Sequence, residues 1–140
     1  MASIRNTSAL ALFAALSGCT VFGSRVSRYD LLPSDAETKL ANAERLVAER
    51  KEDEALAILS KLREAFPESV RVHREYQDAR CRMGDEEAVR EEYRERTFQR
   101  GDALSYLLYA RLLADPPARR SQIEIAISRD PSLPWAYVAR

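Results

Sequence analysis

Glycine is scarce in this sequence, which has four glycines among 140 residues. They are scattered at Gly18, Gly23, Gly84 and Gly101. A loop that cradles phosphates needs several glycines close together, so the nucleotide-binding glycine loops are excluded. The GxSxG pattern of serine hydrolases and the HExxH pattern of zinc proteases are missing too. We therefore expect no enzyme activity, no catalytic residue and no cofactor.

An excess of charge of one sign is also missing, because 22 Lys and Arg residues balance 22 Asp and Glu residues. Residues 1–18 carry only Arg5, so the rest of the chain has 22 minus 1, or 21, basic residues against 22 acidic ones. Nucleic-acid-binding proteins normally have a strongly basic face or segment. We predict no nucleic-acid partner.

Histidine occurs once, which limits metal binding. His73 and Cys81 lie on one predicted helix, but at ~100° per residue their side chains point about 80° apart. Nothing nearby in the sequence completes a ligand set. We therefore predict no metal site.

The abundant residues are those of helices. Hydrophobic residues make up 46% of the chain and charged residues 31%, which is typical of one modest folded domain. Ala, Leu, Glu and Arg dominate, and β-branched residues are sparse. We expect an all-α fold.

Residues 1–18 follow the order of a signal peptide, with Arg5 ahead of an apolar run over residues 9–16. The run is too short to span a bilayer, which takes ~20 apolar residues. Its end resembles the lipobox of bacterial lipoproteins, which is an aliphatic residue, two small residues and a cysteine: Leu16, Ser17, Gly18 and Cys19. An ordinary signal peptide or a buried N-terminal helix is the alternative.

The lipobox resemblance implies that the thiol of Cys19 carries a diacylglycerol after cleavage before this residue. The chain would then be anchored in the cell membrane or outer membrane and face the periplasm or the cell exterior. Thr20 favours the outer membrane, since an Asp at this place retains enterobacterial lipoproteins in the inner membrane. Cys81 is then expected to be a free thiol. Residues 19–33 have no helical stripe, so we predict a flexible tether.

Helix signals are regular from Ser34 onward. Ser34 and Glu37 predict a capping box that starts a helix near Asp35. This helix is predicted to break around residues 50–52, and a second one to start at about Asp53. The predicted apolar stripes are Leu40, Ala43, Leu46 and Val47, then Ala55, Leu56, Leu59, Leu62 and Phe66.

The spacing of the stripe residues and Pro67 resembles the consensus of the tetratricopeptide family. The resemblance implies antiparallel helix hairpins that stack into an α-solenoid, with Ala43 and Ala55 where the paired helices cross. Lys39 and Asn42 depart from it, because the family prefers Trp and Leu there. An unrelated helical bundle is the alternative.

The helix-hairpin pattern recurs along the sequence, so we predict about three repeats at approximately residues 35–69, 70–101 and 102–133. The stripes predicted for the second repeat are Val72, Tyr76, Ala79 and Met83, then Ala88, Val89 and Tyr93.

Residues 134–140 resemble the start of a further helix. A solenoid normally ends in a helix with a polar outer face, so we expect a fragment of a longer chain. A short cap formed by the last residues is the alternative.

One helical face of the second repeat is mostly basic. It consists of Arg71, Arg74, Asp78 and Arg82, and Arg111 on the next first helix extends it. The family resemblance places this face in a concave groove, where it is a candidate site for a partner segment with carboxylates. A solvated face with an internal Arg74–Asp78 pair is the alternative.

These features predict a lipid-anchored envelope protein whose groove mediates protein–protein interaction in an adaptor or assembly role. The expected partners are another envelope protein or peptide segment, and the membrane through the lipid anchor. The alternative is the N-terminal recruitment module of a longer envelope enzyme whose catalytic domain lies beyond Arg140. The sequence leaves the oligomeric state open.

Overall fold

The structure is a computed structural model that describes residues 29–138. This part of the chain contains seven α-helices and no strand, which confirms the all-α prediction. The helices are α1 (Ser34–Ala48), α2 (Glu52–Ala65), α3 (Val70–Arg82), α4 (Glu86–Arg100), α5 (Ala103–Arg111), α6 (Pro116–Arg129) and α7 (Pro134–Val138).

Each helix packs against the next one in the sequence, and α3 also contacts both α1 and α5. Ala43 and Ala55 are fully buried, and their small side chains let α1 and α2 approach closely. On α3, 34 positions after Ala43, stands the larger Gln77, and α3 meets α4 over a shorter stretch. One apolar core runs from the first helix to the last.

Most of the predicted stripe residues are in this core. All four stripe residues of α1 are buried, as are Ala55, Leu59 and Leu62 of α2. Two assignments in the second repeat were wrong. Met83 is 44% exposed because it caps the end of α3, and Ala88 is exposed because Val89 and Tyr93 are the residues of α4 that point inward.

The predicted capping box at the start of α1 is also wrong. Pro33 takes the cap position, and the backbone N–H of Glu37 donates to its carbonyl at 2.9 Å. The carboxylate of Glu37 instead accepts two hydrogen bonds from Arg71 of α3. Ser34 lies inside the first turn, and Pro33 at the cap position has no backbone N–H for a carboxylate to bind, which accounts for the difference.

Residues 29–32 of the predicted tether, here named the strap, pack against the helices. Tyr29 is only 4% exposed, and its carbonyl accepts a hydrogen bond from the N–H of Val70 at 3.0 Å. Its hydroxyl donates to Asp130 at 2.6 Å. A buried ring and a backbone hydrogen bond hold this segment without any helical pattern. The lipobox and residues 20–28 of the tether lie outside the described residues.

The turns after α1 and α3 have the same backbone path. Arg50 and Gly84, which are 34 positions apart, both have positive φ, at 62° and 87°. In each turn the next N–H donates to a carbonyl five residues earlier, from Lys51 to Leu46 and from Asp85 to Arg80. A left-handed conformation costs a side-chain-bearing residue about 1–2 kcal/mol, which glycine avoids.

Arg50→Gly is therefore expected to raise the free energy of unfolding by about 0.5–1 kcal/mol, since relief of strain exceeds the added entropy of the unfolded chain. Urea unfolding followed by far-UV circular dichroism measures the change. Arg50→Ala is the matched control, because it removes the side chain and keeps the strain. Equal stabilities of the two variants would contradict the interpretation.

Candidate functional site

The predicted basic face does not form one open surface, because its members bind neighbouring helices. Arg71 donates to the carboxylate of Glu37 on α1 at 2.8 and 3.0 Å. Arg82 reaches back toward α1 as well, with its Nη1 3.5 Å from the carbonyl of Val47. Both arginines thus link α3 to α1.

Arg111 links α5 to α3 in the same way. Its Nη2 donates to both carboxylate oxygens of Asp78, at 2.6 and 2.8 Å, and its Nη1 donates to the side-chain oxygen of Gln77 at 3.0 Å. Gln77 is fully buried, and its Nε2 donates to the carbonyl of Leu108 at 3.0 Å. The Arg74–Asp78 pair considered above is not formed, because Arg111 occupies this carboxylate.

Arg82 and Arg74 are the arginines of the predicted face without an acidic partner among residues 29–138, and the more buried of the two is Arg74. Its guanidinium carbon lies 5.1 Å from the ring centroid of Trp135 on α7, which is a cation–π arrangement. It forms no ion pair with any carboxylate of residues 29–138. Its positive charge is therefore available to a ligand.

Arg74 lines a pocket of about 430 Å³ between α3, α5, α6 and α7, here named the α3–α7 pocket. The pocket is lined by Val70, Arg74, Leu107, Leu108, Ala110, Arg111, Arg119, Ile123, Trp135 and Val138. Its other two arginines are already bonded, Arg111 to Asp78 and Arg119 to the carbonyl of Leu113 at 2.7 and 3.0 Å. Among the described residues, the pocket thus combines apolar walls with Arg74, a cation that has neither a carboxylate partner nor a carbonyl acceptor.

Sequence reasoning missed Gln77, Asp30 and Trp135, which shape this pocket. Gln77 carried a signal, since it stands at the position where the repeat resemblance calls for a small residue. Trp135 is the only tryptophan of the chain, and its indole N–H donates to Asp30 at 2.9 Å. Nothing in the local sequence indicates this contact across 105 positions.

His73 has a structural role and does not meet Cys81 in a reactive site. Its ring is 1% exposed, its Nδ1 lies 2.7 Å from the Tyr93 hydroxyl, and its Nε2 lies 3.0 Å from the Pro67 carbonyl. Burial, followed by the charge of Arg96, lowers the pKa of His73 to about 3. The ring is therefore neutral, so Nε2 donates to Pro67 and Nδ1 accepts from Tyr93.

A second pocket, of about 410 Å³, lies beside His73. Its arginines are hydrogen-bonded, Arg63 to Glu92, Arg96 to the carbonyl of Pro67, and Arg100 to Glu68 and Asp102, although Nε of Arg96 is buried without a partner among the described residues. Three carboxylates, Glu64, Glu92 and Glu95, also line this pocket, which makes it a weaker candidate for an anionic ligand than the α3–α7 pocket.

Cys81 is a free cysteine, and burial raises the pKa of its thiol, which disfavours the nucleophilic thiolate.

Within residues 29–138 no group of three or more His, Cys, Asp or Glu side chains is placed to hold a metal ion. No helix in the same range is long and apolar enough to cross a membrane.

The buried His73 is expected to make folding stability depend on pH. Its pKa in the folded chain lies below the unfolded value of 6.5, so the unfolded chain takes up the proton first and stability falls as the pH drops below 6.5. The loss between pH 7 and pH 5 is about 2 kcal/mol. Urea unfolding of wild type and His73→Gln at both pH values measures it. The same pH dependence in both proteins would contradict a neutral buried ring.

Comparison with protein-family models, characterised proteins and solved structures finds no match to this chain. Its function must therefore be inferred from the geometry of the described residues and from the sequence. The α3–α7 pocket, in which Arg74 has no acidic partner among the described residues, is the candidate binding site.

Proposed function

We propose that this chain is a lipid-anchored protein of the bacterial envelope whose tetratricopeptide-like helix hairpins bind a segment of another protein. The segment is extended, carries apolar side chains and presents a carboxylate to Arg74. This function requires no catalytic group. The observation that carries the binding proposal is the half-buried Arg74, which lacks an acidic partner among the described residues.

A repeat of about 34 residues is supported by contacts that recur at this distance along the chain. The pair Glu37–Arg71 and the pair Gln77–Arg111 are each 34 positions apart. The two left-handed turn residues Arg50 and Gly84 have the same spacing. A period of 34 residues is typical of tetratricopeptide repeats.

The pocket walls favour a peptide over a small polar ligand. Leu107, Leu108 and Ile123 provide an apolar lining, and the volume of about 430 Å³ lies within the range of ligand sites. A carboxylate on the ligand would accept charge-assisted hydrogen bonds from Arg74, which are about twice as strong as neutral ones. Apolar contacts would supply affinity, and Arg74 would fix the orientation.

Electrostatics on α3 favour the α7 end of the pocket for the ligand carboxylate. Burial, followed by the nearby carboxylates of Glu44 and Asp78, raises the pKa of Glu75. Negative charge is thus already crowded toward α1, where a further carboxylate would be repelled. Arg74 lies against Trp135 of α7.

The lipid anchor is supported by the order of Arg5, the apolar run and the lipobox that ends at Cys19. Tyr29 of the strap stands only ten positions after Cys19. At ~3.3–3.6 Å per residue, the folded part would lie within about 35 Å of the lipid. The partner segment would therefore be close to the membrane surface.

Replacement of Arg74 is expected to weaken binding of an acidic peptide. The probe is a short, fluorescein-labelled peptide of alternating Leu and Glu, and fluorescence anisotropy measures its affinity for the full chain. Arg74→Gln should raise Kd about ten-fold, which corresponds to one lost charge-assisted hydrogen bond.

Arg82→Gln is the matched control, since it removes the same charge from α3 outside the pocket and should change Kd by less than about two-fold. A matching peptide with Gln in place of Glu should bind Arg74→Gln and wild type alike. Equal losses of affinity in Arg74→Gln and Arg82→Gln would contradict a specific site.

Lipid attachment is expected at Cys19 and not at Cys81. The chain is produced in a bacterium that processes lipoproteins, and incorporation of labelled palmitate is measured. Wild type and Cys81→Ser should be labelled, because the proposed acylation uses the lipobox thiol. Cys19→Ser should be unlabelled, and any retained label would refute the proposed anchor.

A further inference from the structure

We infer that the strap is part of the binding site, with Asp30 and Tyr29 as positioning residues that hold the α7 wall of the α3–α7 pocket in place. The docking of the strap on the helices does not depend on the proposed function. The effect of the strap on a ligand rests on that function.

Helix α7 needs support from outside its own sequence. Of the five residues that the structure describes in it, Pro134–Val138, one is buried, Ala136. The buried side chains of Ala136 in α7 and Leu133 just before it pack in the core. Trp135, which lines the pocket between them, is only partly buried.

The strap supplies this support through two side-chain hydrogen bonds that span most of the chain. Tyr29 donates to Asp130, 101 positions away, at 2.6 Å. Asp30 accepts from the indole N–H of Trp135, 105 positions away, at 2.9 Å. The carbonyl of Tyr29 also accepts from Val70 at the start of α3.

These contacts join opposite walls of the pocket. Val70 and Trp135 both line it, and the strap is bonded to both. The hydrogen bond to Asp30 fixes the orientation of the indole, and the guanidinium of Arg74 lies over the indole ring. Asp30 therefore acts on a ligand through Trp135 and Arg74.

Two features of the strap oppose its docking on the helices. One oxygen of Asp30, Oδ1, is buried without a hydrogen-bond partner among the described residues, and this costs free energy. Leu31 is 63% exposed and adds little burial. A ligand that binds only the formed pocket would stabilise the docked strap by the same free energy that the docked strap adds to binding.

The test uses the full chain and its single tryptophan, Trp135. Asp30→Ala removes the acceptor of the indole N–H, and Asp35→Ala, which removes an exposed carboxylate of α1, is the matched control. Acrylamide quenching of tryptophan fluorescence and hydrogen exchange of residues 134–138 are measured. Asp30→Ala should raise the quenching constant about two-fold and speed exchange in α7, as local opening requires. Asp35→Ala should leave both unchanged.

Asp30→Asn provides a rescue, since its amide oxygen still accepts from the indole, and it should resemble wild type. Quenching and exchange that are the same in Asp30→Ala and wild type would overturn the inference. The peptide of alternating Leu and Glu should bind Asp30→Ala about five-fold more weakly, because fewer molecules have a formed pocket.

The peptide result separates the two proposals. If wild type fails to bind the peptide, the proposed binding function fails, whereas raised quenching in Asp30→Ala still supports the strap. If wild type and Asp30→Ala bind the peptide equally, the strap does not control the pocket and the inference is overturned.

Discussion

The contact of Gln77 and Asp78 with α5 is the interaction on which the described structure depends most. A buried amide is costly unless both its oxygen and its nitrogen are bonded. Gln77 meets this condition by donating to Leu108 and accepting from Arg111, and Arg111 also binds Asp78. The polar link sets the separation of α3 and α5, and these two helices form much of the pocket.

This use of charge explains why much of the mostly basic face is not open to a ligand. Arg71 is bonded to Glu37 on α1, and Arg111 is bonded to Asp78 on α3. These pairs join neighbouring helices, so their charges hold the stack together and are not available to a partner. Arg74 differs because it lies over Trp135, whose ring attracts the guanidinium but carries no net charge. The same helix face thus combines assembly of the fold with a candidate binding group.

Local patterns in the sequence were enough to predict the helices. Apolar residues at helical spacing predicted the core face of α1. The predicted starts of α1 and α2, near Asp35 and Asp53, each lie within one residue of the observed Ser34 and Glu52. Such features depend on neighbours a few residues away.

The candidate site could be predicted only in part, because its contacts join distant residues. The basic face was visible on α3, but the carboxylates that bind Arg71 and Arg111 stand 34 and 33 positions earlier in the sequence. The strap was read as a tether because burial of Tyr29 leaves no periodic pattern. Its bonds to Asp130 and Trp135 are visible only in the folded chain.

The central claim, that charges on α3 and α5 serve packing, is tested most directly by a double-mutant cycle between Asp78 and Arg111. Unfolding free energies are measured for Asp78→Asn, Arg111→Gln, the double variant and wild type. A coupling energy of about 1 kcal/mol is expected, since residues in one hydrogen-bond network are not additive. Additive effects would contradict the claim and would return Arg111 to the set of charges available to a ligand.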